Sequence, residues 1–123
     1  MQAIKRFSTA ALLGLGLGVS GVQAQEPVVV SSKDTVQDRI LAEMMVLMLD
    51  ARGLAAERRI GVGDSADVFQ ALRSGAVDVY PEYTGTALAL LDGPPETDAE
   101  MVRARLAAPF ADLGLEFLNE ILL

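Results

Sequence analysis

The chain has 123 residues, with 10 Lys+Arg, 17 Asp+Glu, no His, no Cys and a formal net charge of −7. The length bounds it to one domain, and 51% apolar residues exclude a disordered chain. The missing His and Cys remove the commonest general base, metal ligand and thiol nucleophile, together with any disulfide framework. An acidic surface without a basic stripe excludes nucleic acid and anionic membranes as partners.

Residues 1–24 read as a removable signal peptide. Lys5 and Arg6 form a positive start, and residues 10–19 are uncharged and too short to span a membrane. Val22-Gln23-Ala24 gives the small-x-small pattern, so cleavage is expected after Ala24. Removing Lys5 and Arg6 takes the net charge to −9 and leaves 99 residues, 25–123, enough for a small core. With no cysteine for lipid attachment, the exported chain is expected to be periplasmic, with no membrane insertion after the leader is lost.

Val28-Val29-Val30 is a β-branched run of the kind found in buried parallel strands. Ser31-Ser32-Lys33-Asp34 turns the chain and offers N-caps. Val36, Ile40, Leu41, Met44, Leu47, Met48 and Ala51 then recur at helical spacing, ending at Gly53. Met44, Met45 and Met48 in this helix read as core filler. Residues 55–62 are a second strand candidate, followed by a helix over 66–73 that Asp64 or Ser65 caps.

Ala76-Val77-Asp78-Val79 predicts a third strand, and Tyr80-Pro81-Glu82-Tyr83-Thr84-Gly85-Thr86 a bend at its carboxyl end. Open α/β sheets bind ligands at that edge. Two tyrosines and two threonines there give π faces and hydroxyls to a small polar guest, or else a Pro-containing connector with a core tyrosine. Ala87-Leu88-Ala89-Leu90-Leu91 starts a helix, and Asp92-Gly93-Pro94-Pro95 is a loop. Thr97 or Asp98 begins another helix. Pro109 costs its interior about 3 kcal/mol, so a break or kink is expected near Ala108. Leu115-Glu116-Phe117-Leu118 is a fourth strand candidate. The alternation predicts an α/β fold, a mostly parallel sheet with helices on both faces.

Asp78 and Glu82 are two carboxylates close in sequence, which invites acid/base chemistry. No nucleophile or metal ligand accompanies them, so neither an enzyme nor a metal or other cofactor is expected.

Taken together, Ser32-Lys33, the helix around Ile40-Leu41-Ala42-Glu43-Met44, Ser74-Gly75-x-x-Asp78 and the Tyr80–Thr86 block resemble a known family. It is that of the substrate-binding proteins of ABC importers for glycine betaine, choline and related quaternary-amine osmoprotectants. The resemblance runs from about Val28 to Phe117. It implies a two-lobed, type II-like periplasmic binding fold around a cleft, and hand-over of ligand to a membrane permease. Residues 25–123 would then be part of the N-terminal lobe, with the second lobe absent. The alternative expectation is a truncated fragment with no independent binding activity.

By the same resemblance, Tyr83 matches a tyrosine of the aromatic cage around the trimethylammonium group. Thr86 and Lys33 match residues that in some members contact the ligand's polar or carboxylate end. Asp64 and Ser65 lie in the loop that brings a helix N-terminus to the cleft. Tyr80 is either a further ligand contact or a support for the bend. The physics agrees: a quaternary ammonium donates no hydrogen bond, so π faces hold it, at roughly 0.5–2 kcal/mol per ring. A carboxylate prefers a cation and the amides of a helix start. Two departures bear on ligand choice. Thr35-Val36-Gln37-Asp38 replaces the usual Phe-Thr-Glu-Gln, and Gly63-Asp64-Ser65 replaces Gly-Gly-Thr. The charge of Asp64 would favour a ligand without a carboxylate, such as choline.

Overall fold

A computed structural model describes residues 2–6 and 25–120. Five strands, β1 (Gln2–Arg6), β2 (Val28–Ser31), β3 (Ala56–Arg59), β4 (Val79–Glu82) and β5 (Leu115–Glu120), form one sheet in the order β3-β2-β4-β1-β5. The helices are α1 (Val36–Asp50), α2 (Ser65–Ser74), α3 (Thr84–Leu90) and α4 (Ala99–Asp112). β2 pairs in parallel with β3 and with β4, whereas β1 runs antiparallel to both β4 and β5. Four strands therefore point one way, with β1 reversed among them.

Helices cover both faces. On one, Leu41, Ala42 and Val46 of α1 are buried, and Ala42 and Val46 pack with Val30, Val79 and Ala3. On the other, α2, α3 and α4 send Val68, Leu72, Leu88, Leu106 and Phe110 onto Ile4, Tyr80 and Leu115. Successive residues on β1 and β4 alternate between the two clusters, as the period of a strand requires. Phe110 stacks on Phe117, ring centroids 4.4 Å apart, which fixes α4 against β5.

Local chemistry sets the helix ends. Thr35 caps α1 by accepting from Asp38 N, and Asp64 caps α2 by accepting from Ala66 N and Asp67 N. Asp67 returns the favour by accepting from Asp64 N, closing a capping box. Asp98 caps α4. Gly75 ends α2 at φ 79°, a conformation that costs glycine little.

Several expectations change. Most of the apolar stripe of α1 does not face the core: Val36, Ile40, Met44, Leu47 and Met48 are exposed, Leu41 is the member that is buried, and only Met45 of the three methionines is partly buried. The helix is apolar on two faces, and the one carrying small Ala42 lies against the sheet. Tyr80, Pro81 and Glu82 belong to the strand rather than to the bend, which begins at Tyr83. Helix α4 runs through Pro109 to Asp112 without the expected break. The proline forgoes the bond its N–H would have donated to the Arg105 carbonyl, but only three residues of α4 follow it, so little helix is left to be diverted. Gln2–Arg6 falls within the segment read as a leader and here forms β1; the rest of that segment, residues 1 and 7–24, lies outside the described residues.

Ile4 is fully buried between β4 and β5. Ile4→Ala is expected to cost about 2–5 kcal/mol of stability. A chain beginning at Gln25 should lose more, since the pairings of β1 go as well. Urea midpoints check both; equal midpoints for all three chains would show that β1 contributes nothing.

Candidate functional site

Strands β2, β3 and β4 point their carboxyl ends to one edge, and the turns leaving β2 and β4 meet there. Ser32, just past β2, ties this edge together: its hydroxyl and carbonyl oxygens both accept from Gly61 N, and its carbonyl also accepts from Val62 N. Next along the chain, Lys33 turns inward. Its side chain is only 9% exposed, and its Nζ lies 2.5 Å from Oε1 of the wholly buried Glu82. The same Oε1 accepts from Tyr83 N at 2.8 Å. Glu82 therefore holds the turn after β2 and fixes the backbone where β4 gives way to α3.

Above this ion pair lies a cleft of about 740 Å³, within the range of small-molecule sites. Lys33 and Asp38 line it from the β2–α1 side with Asp34, Thr35 and Gln37; Gly63, Asp64 and Ser65 line it from the start of α2, and Tyr83 from the start of α3. Tyr83 is 40% exposed, and Lys33 Nζ sits 5.1 Å from its ring centroid. Gly63 is bound to this wall, its carbonyl accepting from Asp34 N. At φ 148° a side chain there would be strained, and a Cβ would meet the Asp67 carboxylate at 2.2 Å.

Of the residues singled out from sequence, Tyr83, Lys33, Asp64 and Ser65 come together on the cleft wall. Thr86 does not: it is half-buried on α3, away from that wall. Tyr80 is fully buried in the core and supports the sheet rather than the cleft. Burial, with the neighbouring charge of Glu82, pushes its phenol well above the ordinary tyrosine range. Asp78 is also structural, its carboxylate accepting from Val29 N at 2.8 Å. Asp38 and Glu82 were not chosen from sequence for this wall. Only its pairing with Lys33, 49 positions away, marks Glu82, whereas Asp38 closes the Thr35–Asp38 stretch that departs from the family pattern.

The charges are unevenly matched. Lys33 is in contact with Glu82 and 3.8 Å from Asp38, whereas Asp34, on the cleft wall, is paired with Arg39, which does not line the cleft. Asp64 spends its carboxylate on the first amides of α2, so those amides are not open to a ligand carboxylate. The arrangement suits a positive group better than a negative one. Among the described residues, no cluster of three or more His, Cys, Asp or Glu could hold a metal ion, and no helix is long and apolar enough to cross a membrane.

Residues 26–118 match the substrate-binding domain of ABC-type glycine betaine transport systems. The chain belongs to this family. Among its relatives is the glycine betaine-binding protein YehZ of Escherichia coli (strain K12), 34% identical over 64 residues, covering 52% of this chain and 21% of that protein. Another is the ergothioneine transport permease/ergothioneine binding protein EgtU of Helicobacter pylori (strain G27), 36% identical over 64 residues, 51% of this chain and 12% of that one. The apo structure of the Escherichia coli YehZ shares the fold, with a TM-score of 0.65 at 23% identity over 72% of this chain and 32% of its own. The chain thus spans about a fifth or less of the length of these curated relatives.

Two outcomes test the buried network. Glu82→Gln should cost about 3–5 kcal/mol, because it leaves the Lys33 charge without its partner, and Lys33→Met with Glu82→Leu should recover much of that. Equal losses in the single and double variants, read from urea midpoints, would separate the pair from the fold. On the alkaline side, a phenol held protonated in the folded state stabilises it fully below the unfolded pKa of about 10, and that contribution is lost as pH rises beyond it. Phenolate absorbance of the native protein should therefore lag that of the urea-unfolded chain, with the lag abolished by Tyr80→Phe.

Proposed function

We propose that this lobe belongs to the periplasmic solute-binding component of an ABC importer for a small quaternary-amine osmoprotectant, glycine betaine or choline or a close relation. In this reading the protein is not an enzyme and needs no cofactor; it captures ligand and hands it to a membrane permease. Residues 1–24 serve as the export leader; cleavage after Ala24 removes β1 with it, so the five-stranded sheet is that of the uncleaved chain. The observation that carries the reading is the half-exposed ring of Tyr83 beside a buried floor with more carboxylates than cations. A methylated cation needs such a surface, since it offers charge without a hydrogen-bond donor. Family membership and the glycine betaine named for YehZ support the same class, and the ergothioneine named for EgtU keeps larger ligands within range.

Lys33, Asp64 and Ser65 complete the wall, Lys33 by setting the position of Tyr83 rather than by meeting a ligand carboxylate. Thr86 would reach ligand only if α3 shifted, and Tyr80 acts through the core.

A second reading concerns the isolated chain. One ring contributes about 0.5–2 kcal/mol, against the roughly 8 kcal/mol of micromolar affinity, so one wall of a cleft binds weakly. Calorimetric titration of the 123-residue chain with choline and glycine betaine is expected to give no saturable heat at micromolar concentrations, and a micromolar Kd would overturn that reading. In the longest polypeptide that carries this lobe, Tyr83→Ala should weaken quaternary-amine binding by about 2- to 30-fold. Unchanged affinity would remove Tyr83 from the site.

A further inference from the structure

The cleft floor holds three buried ionisable groups, Lys33, Asp38 and Glu82. Lys33 lies against Glu82 at 2.5 Å and stands further off, at 3.8 Å, from Asp38 Oδ1. Coulomb attraction falls with separation, so the lysine chiefly neutralises Glu82, and the surplus negative charge of the trio rests on Asp38. Asp38 is 3% exposed. Its Oδ2 accepts from the Thr35 hydroxyl at 2.6 Å, whereas Oδ1 has no hydrogen-bond partner. A buried carboxylate that is neither fully paired nor fully bonded is costly, and a cation brought into the cleft beside it offsets that cost. Asp38 lines the cleft that Tyr83 also lines. The sequence shows Asp38 at the point where the chain departs from the motif it otherwise resembles.

We infer that Asp38 is the specificity-determining residue of this lobe: its carboxylate favours a ligand with a bare positive charge and disfavours one that also carries a carboxylate. The inference rests on the quaternary-amine reading above and deepens it. The effect acts through space across the cleft, so it needs no hydrogen bond from the ligand. Lys33, already held by Glu82, leaves no free cation on this wall to receive a ligand carboxylate. The α2 amides bonded to Asp64 give no anion site either. The whole wall therefore favours choline over glycine betaine, and Asp38 is its buried source.

The test uses the longest polypeptide that carries this lobe, as wild type and as Asp38→Asn, which keeps the side chain's shape and its capacity to accept from Thr35. Each is titrated calorimetrically with choline, with glycine betaine and with dimethylbutanol, the uncharged carbon isostere of choline. Wild type is expected to bind choline at least about tenfold more tightly than dimethylbutanol, the scale of one unit charge at partly screened range. It should also bind choline more tightly than glycine betaine. In Asp38→Asn the choline advantage over the isostere should shrink about tenfold, with dimethylbutanol itself unmoved. Equal losses for choline and dimethylbutanol would mean that Asp38 only maintains structure, and no loss for either would remove it from recognition; both outcomes overturn the inference while the quaternary-amine reading stands. Failure of wild type to bind any quaternary amine would overturn both. Should Asp38→Asn not fold, the wild-type titrations still decide: choline no tighter than its isostere, or weaker than glycine betaine, refutes the assignment.

Discussion

The contact between Lys33 and Glu82 is the constraint on which the site depends. It joins the ends of two parallel strands at the edge where their turns diverge, and it does so with side chains almost wholly out of water. Replacing such a pair by apolar residues is often neutral or stabilising, so stability alone does not explain it. What it supplies is position. Glu82 Oε1 accepts from Lys33 and from Tyr83 N together, so the turn after β2 and the start of α3 share one acceptor. The backbone that carries Tyr83 is thereby held by a group that never reaches the cleft surface.

Much of the fold could be read from the chain itself. Val28–Ser31 is apolar enough to be buried on both faces, and the capping residues Asp64 and Asp98 stand where their helices begin. Those signals are local, and they were legible for that reason. Helix α1 was harder, because its apolar positions cover two faces and periodicity cannot say which of them meets the sheet. Pro109 misled because only three residues of α4 follow it, too few for a kink to redirect the chain. Tyr80 and Tyr83 sit three residues apart in one motif, yet one belongs to the strand and the core and the other to the turn and the cleft.

The candidate site was legible in part for the same reason. Tyr83 and Asp64 are the residues just before α3 and α2, and Ser65 opens α2; cap and turn chemistry marks such places. Glu82 and Asp38 lie inside regular elements, and their meaning comes from Lys33, to which no spacing rule connects Glu82. Long-range pairing of buried charges leaves almost no trace in a single sequence. It also changes what the motif lysine does: a cation that the motif alone offers to a ligand carboxylate is here consumed within the protein.

In the chain that retains residues 1–24, the reversed strand β1 has a consequence for the order in which the sheet can assemble. Strands β2, β3 and β4 are neighbours in sequence as well as in space and can associate through loops of ordinary length. β5 reaches the sheet only through β1, and Ile4 must find both Tyr80 and Phe117. Closing such distant pairings costs chain entropy before their contacts stabilise anything, and it slows folding. The half of the sheet that carries the cleft is thus free to form early, and the half that depends on Gln2–Arg6 is the last to close.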